Sequence, residues 1–455
     1  MASNKRLSFA NFPIPFDHPY TLPSLIAAVA ASSFAYYYLQ STHTAELIEA
    51  VRVRDINKRR QLKRPEQRFA SLKVERRYVN PFGQWREVPW WETALFWLCR
   101  YKGNGLPKTE EELNKTMPVV KPSLDVIFAK SDKSSSGLTA SWVQLAEENK
   151  DVSRSASSPS VAFTWLGQST CLIRVDNITI LTDPVFSKCS INDYLGPKRL
   201  RPIPCSIDEI ASHLDMVLVS HDHFDHLDES VVHKLGNSVT WYIPLGLRDW
   251  FVKRGVENVI ELDWWQEIHH AENLDTKIAC VPAMHWSGSR TPFDKNSTLW
   301  CSFVVKTKSN SIFFCGDTGY CPELFKAIGE QYAPFTLAAI PIGSFKPEIL
   351  MQHLHMGPTD AVKVHHDIGC PKLSVGIHWG TFMMSDEHYL EPARQLKEAW
   401  DDIDIQRTGG KLIRAAAADG EQESSSFCST TATVGAVVSE TRFITTFIGE
   451  TVCLN

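Results

Sequence analysis

Residues 161–182 read as three short apolar runs, VAFTWLG, STCLIRVD and ITILTDP, separated by Gly167-Gln168 and Asn177. Their β-branched and aromatic content and the turn residues between them predict adjacent strands. Further along, apolar runs repeatedly end in a polar or metal-capable residue: MVLVS before His221, KIACVPAM before His285, SIFFCG before Asp317, LAAIPIG before Ser344 and LSVGI before His378. Helix-period patterns at residues 360–368 and 388–400 intervene. This is the pattern of a mixed α/β fold whose strand ends converge on one sheet edge. After residue 408 the chain turns Ala-, Ser- and Thr-rich, which predicts a flexible insertion before one last strand at residues 442–452. No internal repeat is visible.

The front of the chain follows a different pattern. No charged side chain occurs from His18 to Ala45, and 14 of the 18 residues at 22–39 are apolar. That length just suffices for a bilayer span. Tyr36, Tyr37 and Tyr38, followed by a basic collar, suit an interfacial belt with a positive flank. A cleaved targeting peptide and a peripheral amphipathic segment are the competing readings, and Lys5 and Arg6 with no acid before Asp17 fit a mitochondrial signal. The expected organisation is a targeting or membrane-anchor segment (1–45), a basic membrane-proximal segment (46–77), a Trp-rich extension packed on the core (78–160, with Trp85, Trp90, Trp91 and Trp97), an α/β core (161–409), the low-complexity insertion (410–441) and a C-terminal strand (442–455). Polar stretches at 131–137 and 149–160 read as loops or linkers.

Composition adds bounds. The 455 residues are 43% hydrophobic and 22% charged, enough for a substantial core. Net charge is 47 − 52 = −5, which gives no drive toward nucleic acid. Between residues 46 and 78 there are 11 Lys/Arg against 5 Asp/Glu, so a collar of +6 sits beside a remainder of −11. The 11 cysteines are scattered and never spaced as C-x-x-C, which favours reduced thiols in an intracellular setting.

Of the 16 histidines, 14 fall between His213 and His388. The dominant signal among them is SHDHFDHLD, in which His221, His223, Asp225 and His226 directly follow an apolar strand. Such a loop can present His221 and His223 to one cation and Asp225 and His226 to a neighbouring one. Imidazole and carboxylate without thiolate suit Zn²⁺ best, with Fe or Mn as other occupants. The remaining ligands should come from other strand ends, and His285, Asp317 and His378 fit that need, with Asp317 able to bridge. His213, His233, His269, His270, His365, His366 and His388 read as surface or core residues in helices and loops.

The combination resembles the metallo-β-lactamase superfamily, and more closely its zinc-dependent phospholipases D that hydrolyse N-acyl-phosphatidylethanolamine. The closer likeness rests on FTWLGQST, LTDPVFS, YLGPKRLRPIPC, IPLGLRDW, ENVIELDWW, VPAMHW, FFCGDTGYCP, LAAIPIGSFKP, QHLHMGPTDAV and IHWGTF, which run in order through the chain. The resemblance implies an αββα sandwich with an N-terminal extension and two Zn²⁺ per chain. His221, His223 and His285 would hold the first ion, Asp225, His226 and His378 the second, and Asp317 would bridge them. Asp225, Asp317 and His355 are the implied catalytic residues, His355 lies near the substrate phosphate, and Asp183 orients a ligand histidine. Phe224, on the substrate side, stands where relatives can carry a tyrosine, so that hydroxyl is absent here.

The chemistry expected is attack of a hydroxide shared between two cations on a phosphodiester, giving phosphatidic acid and an N-acylethanolamine. The expected partners are a phospholipid membrane and the N-acylated lipid, with no nucleic acid and with a homodimer left open. The expected location is an intracellular membrane, the mitochondrial inner membrane or alternatively an endomembrane. The alternatives are a related hydrolase acting on a lactone, thioester or soluble phosphodiester, and a non-catalytic metal-stabilised scaffold.

Overall fold

The computed structural model describes residues 18–99, 104–128, 159–288, 290–291, 294–407 and 441–454. Lys5, Arg6, the stretches 131–137 and 149–158 and residues 410–440 lie outside that set, as do the side chains of Trp90 and Trp97. The chain divides into two compact units, residues 1–58 and 59–455. The first is built on helix α1 (Thr21–Arg59), a single helix of 39 residues that takes in the apolar segment and the start of the basic collar. Leu22, Ile26, Val29 and Phe34 are all more than 60% exposed. The helix is long and apolar enough to cross a membrane by length and composition.

The second unit opens with a hairpin of β1 (Leu72–Val74) and β2 (Arg77–Val79) and two helices, α2 (Trp90–Cys99) and α3 (Glu110–Thr116). Phe69, Phe82 and Trp85 of this extension are buried in the main core. The core itself starts with β3 (Val161–Gly167), β4 (Thr170–Val175) and β5 (Ile178–Thr182), antiparallel neighbours as the sequence indicates. Strand β6 (Met216–Leu218), helix α4 (Glu229–Leu235), β7 (Thr240–Pro244) and β8 (Val259–Leu262) then add parallel strands. The second sheet repeats this plan. Strands β9 (Glu267–His270), β10 (Asn273–Val281), β11 (Ser302–Lys306) and β12 (Ser311–Phe314) are antiparallel. Helix α5 (Pro322–Tyr332), β13 (Leu337–Pro341), α6 (Glu348–Met351), α7 (Pro358–Asp367), β14 (Leu373–Ile377) and α8 (Glu391–Arg407) follow, with β13 and β14 parallel to β12. The connectivity thus contains a repeat that the sequence does not display.

Two-residue periodicity decides which layer each side chain joins. In β3, Val161, Phe163 and Trp165 enter the core shared by the two sheets, whereas Ala162 and Leu166 enter a second cluster with Val231, Val232 and Leu235 of α4. Both faces are therefore covered, as parallel strands require. The result is the expected αββα sandwich.

Two expectations need correction. The C-terminal stretch forms two strands instead of one: β15 (Arg442–Ile444) pairs with β14 in one sheet, and β16 (Thr451–Leu454) pairs with β3 in the other. A turn containing Gly449, at φ 89°, carries the chain between them. His269 and His270 lie in strand β9, and the buried His270 ring is 2.9 Å from the Tyr242 hydroxyl.

Candidate metal centre

Strand β6 delivers the histidine-rich loop, and a buried carboxylate beside it sets the ring orientations. Asp183 accepts the Ser220 N–H at 2.7 Å and the Ser220 hydroxyl at 2.6 Å. It also accepts from His226 Nδ1 at 2.6 Å, which turns His226 Nε2 inward. Ser220 Oγ lies 2.9 Å from His221 Nδ1, so the same carboxylate steadies His221 through one hydroxyl. Asp183 and His378 take positive φ values of 34° and 59°, local strain that the surrounding hydrogen bonds hold in place.

All seven side chains inferred as ligands come together. His221 Nε2 and His223 Nδ1 are 2.7 Å apart, and His285 Nε2 is 3.4 Å from His223 Nδ1. Asp225 Oδ2 is 3.4 Å from His226 Nε2 and 3.7 Å from His378 Nε2. Between these two sets stands Asp317 Oδ2, 3.0 Å from His226 Nε2, 3.2 Å from His378 Nε2 and 3.8 Å from His285 Nε2. His355 Nδ1 lies 3.6 Å from the same oxygen, and its side chain is 13% exposed against 2% for Asp317. Phe224 is half-buried under Arg290, whose guanidinium carbon is 5.0 Å from the ring centroid.

The residues fit a cation. His226 Nε2 and Asp317 Oδ1 are buried without a hydrogen-bond partner, in a cluster of nitrogen and carboxylate donors facing one another. Burial, reinforced by neighbouring imidazoles, pushes His285 and His223 down to about 3 and His221 well below its usual range, leaving neutral rings with available lone pairs. Burial opposes ionisation of Asp317 and Asp225, but the adjacent histidines outweigh it and keep both well below the usual carboxylate range. Burial likewise opposes a proton on His226, yet Asp317, Asp225 and Asp183 lift it well above its usual value, and His378 rises to about 9 for the same reason. The carboxylates create a demand for positive charge that a metal ion would satisfy.

Residues without ligand character complete the centre, and little in the pattern of the chain marks them. Gln168 Nε2 donates to Asp225 Oδ2 at 2.7 Å and lies 2.8 Å from His378 Nε2. Its carbonyl accepts the His378 N–H at 2.8 Å, and its φ of 51° makes the turn that aims the amide inward. Asp222, between two of the loop histidines, accepts the Gly288 N–H at 2.7 Å. Arg290 donates to the carbonyls of Asp222 and Leu227 at 2.9 and 2.6 Å, clamping the loop. His285 Nδ1 faces the Leu354 carbonyl at 2.8 Å, and Asn80, from the extension, donates to the His285 carbonyl at 2.7 Å. Asn80→Ala should strand that buried carbonyl, costing about 1–3 kcal/mol of stability and weakening metal retention. Thermal melts with and without chelator would show it, and an unchanged melt would make Asn80 incidental.

A family model described as a beta-lactamase superfamily domain matches residues 178–379. A mitochondrial N-acyl-phosphatidylethanolamine-hydrolysing phospholipase D of Saccharomyces cerevisiae is 35% identical over 342 residues, 72% of either chain. N-acyl-phosphatidylethanolamine-hydrolysing phospholipase D 1 of Caenorhabditis elegans is 41% identical over 249 residues, 52% of this chain and 69% of its own. Among solved structures, an isothiocyanate hydrolase from Delia radicum gut bacteria aligns with a TM-score of 0.45 at 15% identity, covering 64% of this chain and 98% of its own. The fold and the His/Asp cluster, with the family match, define a metal-dependent hydrolase of the metallo-β-lactamase superfamily. Within it, the chain belongs to the N-acyl-phosphatidylethanolamine-hydrolysing phospholipase D family.

Proposed function

We propose that this chain cleaves the phosphodiester of N-acyl-phosphatidylethanolamine at a membrane, releasing phosphatidic acid and an N-acylethanolamine, with two Zn²⁺ as cofactors. The observation that carries the reading is the position of Asp317 Oδ2, which lies within 3.8 Å of nitrogens from both ligand sets. His221, His223 and His285 would hold one ion and Asp225, His226 and His378 the other, each set completed by Asp317. Nitrogen and carboxylate donors without thiolate favour zinc. Two such ions supply Lewis-acid stabilisation of phosphoryl charge and a water acidic enough to ionise near neutrality.

The protein's own groups do the positioning. Gln168 holds Asp225 and His378 in register, and Asp183 fixes the His226 tautomer. Burial, with the neighbouring His285 and His378, holds His355 at about 3, so at neutral pH it is an uncharged imidazole. Its side chain is 13% exposed, against 1% for His285 and 2% for Asp317, and is placed to give a neutral N–H hydrogen bond to a phosphoryl oxygen. The apolar part of helix α1 and the basic collar that begins within it support a membrane location, each basic residue near an anionic surface contributing about 1 kcal/mol. The mitochondrial yeast relative supports a mitochondrial membrane.

Metal-replete full-length protein incubated with vesicles of N-acylated or plain phosphatidylethanolamine, and with a soluble phosphodiester, tests the substrate. Phosphatidic acid and N-acylethanolamine from the N-acylated lipid are the expected products. Faster turnover of the soluble diester with the lipid untouched would transfer the site to the alternative hydrolase class.

A further inference from the structure

Helix α7 has chemistry at both ends. Its N-terminal end follows His355, and its C-terminal end, about 15 Å away for a helix of ten residues, gathers a different donor set. One nitrogen each of His365 and His366 and the Cys370 Sγ lie within 4.8 Å of one another. His366 Nδ1 is 3.3 Å from Cys370 Sγ. Cys370 adopts φ 55°, and its N–H donates to the His365 carbonyl at 2.9 Å, a left-handed turn that brings the residue back against the helix end.

The rings are held by what surrounds them. His365 Nδ1 lies 2.8 Å from Ser374 Oγ, the kind of hydroxyl contact that fixes a ligating imidazole's tautomer. The His366 ring stacks on Trp400 with an interplanar angle of 4° and centroids 6.1 Å apart, and the same indole meets His365 edge-on at 5.0 Å. Phe443 stacks on His365 at 5.8 Å. His365 is fully buried, whereas His366 and Cys370 are half-buried, so a solvent ion can reach the site.

We propose that His365, His366 and Cys370 form a second, independent site for a borderline-soft divalent cation of the Zn²⁺ class. Two imidazoles and a thiolate supply three positions of a tetrahedron and leave one for water. On binding, the Cys370 S–H bond breaks, its proton passes to water and the sulfur lone pair forms the bond to the metal. The ion ties the end of α7 to the loop that leads into β14, a structural role separate from hydrolysis.

Cobalt distinguishes this site from the Asp317 centre, whose inferred ligands carry only nitrogen and oxygen. Metal-free full-length protein titrated with Co²⁺ should develop a near-ultraviolet thiolate-to-cobalt charge-transfer band. That band should vanish in Cys370→Ser and weaken in His366→Gln, with the bound metal lowered by one ion per chain in Cys370→Ser and hydrolysis unchanged in both. No thiolate band in the unsubstituted protein, or a band that survives Cys370→Ser, would overturn the site while leaving the hydrolytic assignment untouched.

Discussion

Asp317→Asn should lower hydrolysis by about 10³-fold or more, the upper range for losing one electrostatic contact at a reacting centre, and should release metal from the protein. The amide keeps the shape of the side chain but removes the negative charge, and its NH₂ cannot ligate. Asp317 Oδ2 lies 3.0 and 3.2 Å from His226 and His378 of one set and 3.8 Å from His285 of the other, so an amide turned with its NH₂ there loses the contact to both sets, and turned the other way it leaves only a neutral carbonyl between them. Elemental analysis and lipid hydrolysis on the same preparation check both halves of the expectation. Equal metal and equal activity in the variant would remove Asp317 from the centre.

Asp183→Asn is a subtler change with a comparably large effect. One oxygen of Asp183 accepts from the Ser220 N–H and the other from the Ser220 hydroxyl and His226 Nδ1, so either amide orientation sets an NH₂ against a donor. If His226 escapes by exchanging its tautomer, its inward Nε2 becomes protonated and is lost as a ligand. Metal affinity should fall about 10–100-fold, and the buried mismatch should cost about 1–3 kcal/mol of stability. Competition with a calibrated chelator reads the first and a melt of metal-free protein reads the second. Wild-type values in both would show that the carboxylate charge is dispensable.

The inferred ligand set was legible because its signals are local. His221, His223, Asp225 and His226 crowd into one loop, and His285, Asp317 and His378 each follow an apolar run that can only be a strand, so a shared edge was the economical way to place them. Gln168, Ser220, Asp222 and Asn80 were not assigned roles because a single amide, hydroxyl or carboxylate in a turn carries no periodicity. Their meaning arises from partners distant in sequence, such as Asn80 on the carbonyl of His285. The single C-terminal strand failed for another reason. Apolar character marks residues 442–452 as sheet-forming, but it carries no information about which sheet receives them. Residues 365–370 read as ordinary helix and loop because two histidines and a cysteine at that spacing lack the look of a recurrent zinc motif.

The separation of β15 and β16 also bears on the order in which the molecule can be made. Residues 442–444 extend the sheet that brings His378 to the centre, and residues 451–454 close the opposite sheet against β3. A chain emerging from the ribosome therefore holds both layers unfinished at one edge until its final described residues arrive. Long-range pairings of this kind delay assembly, so the histidine loop, though synthesised midway, gains its complete surroundings only after translation has passed every ligand.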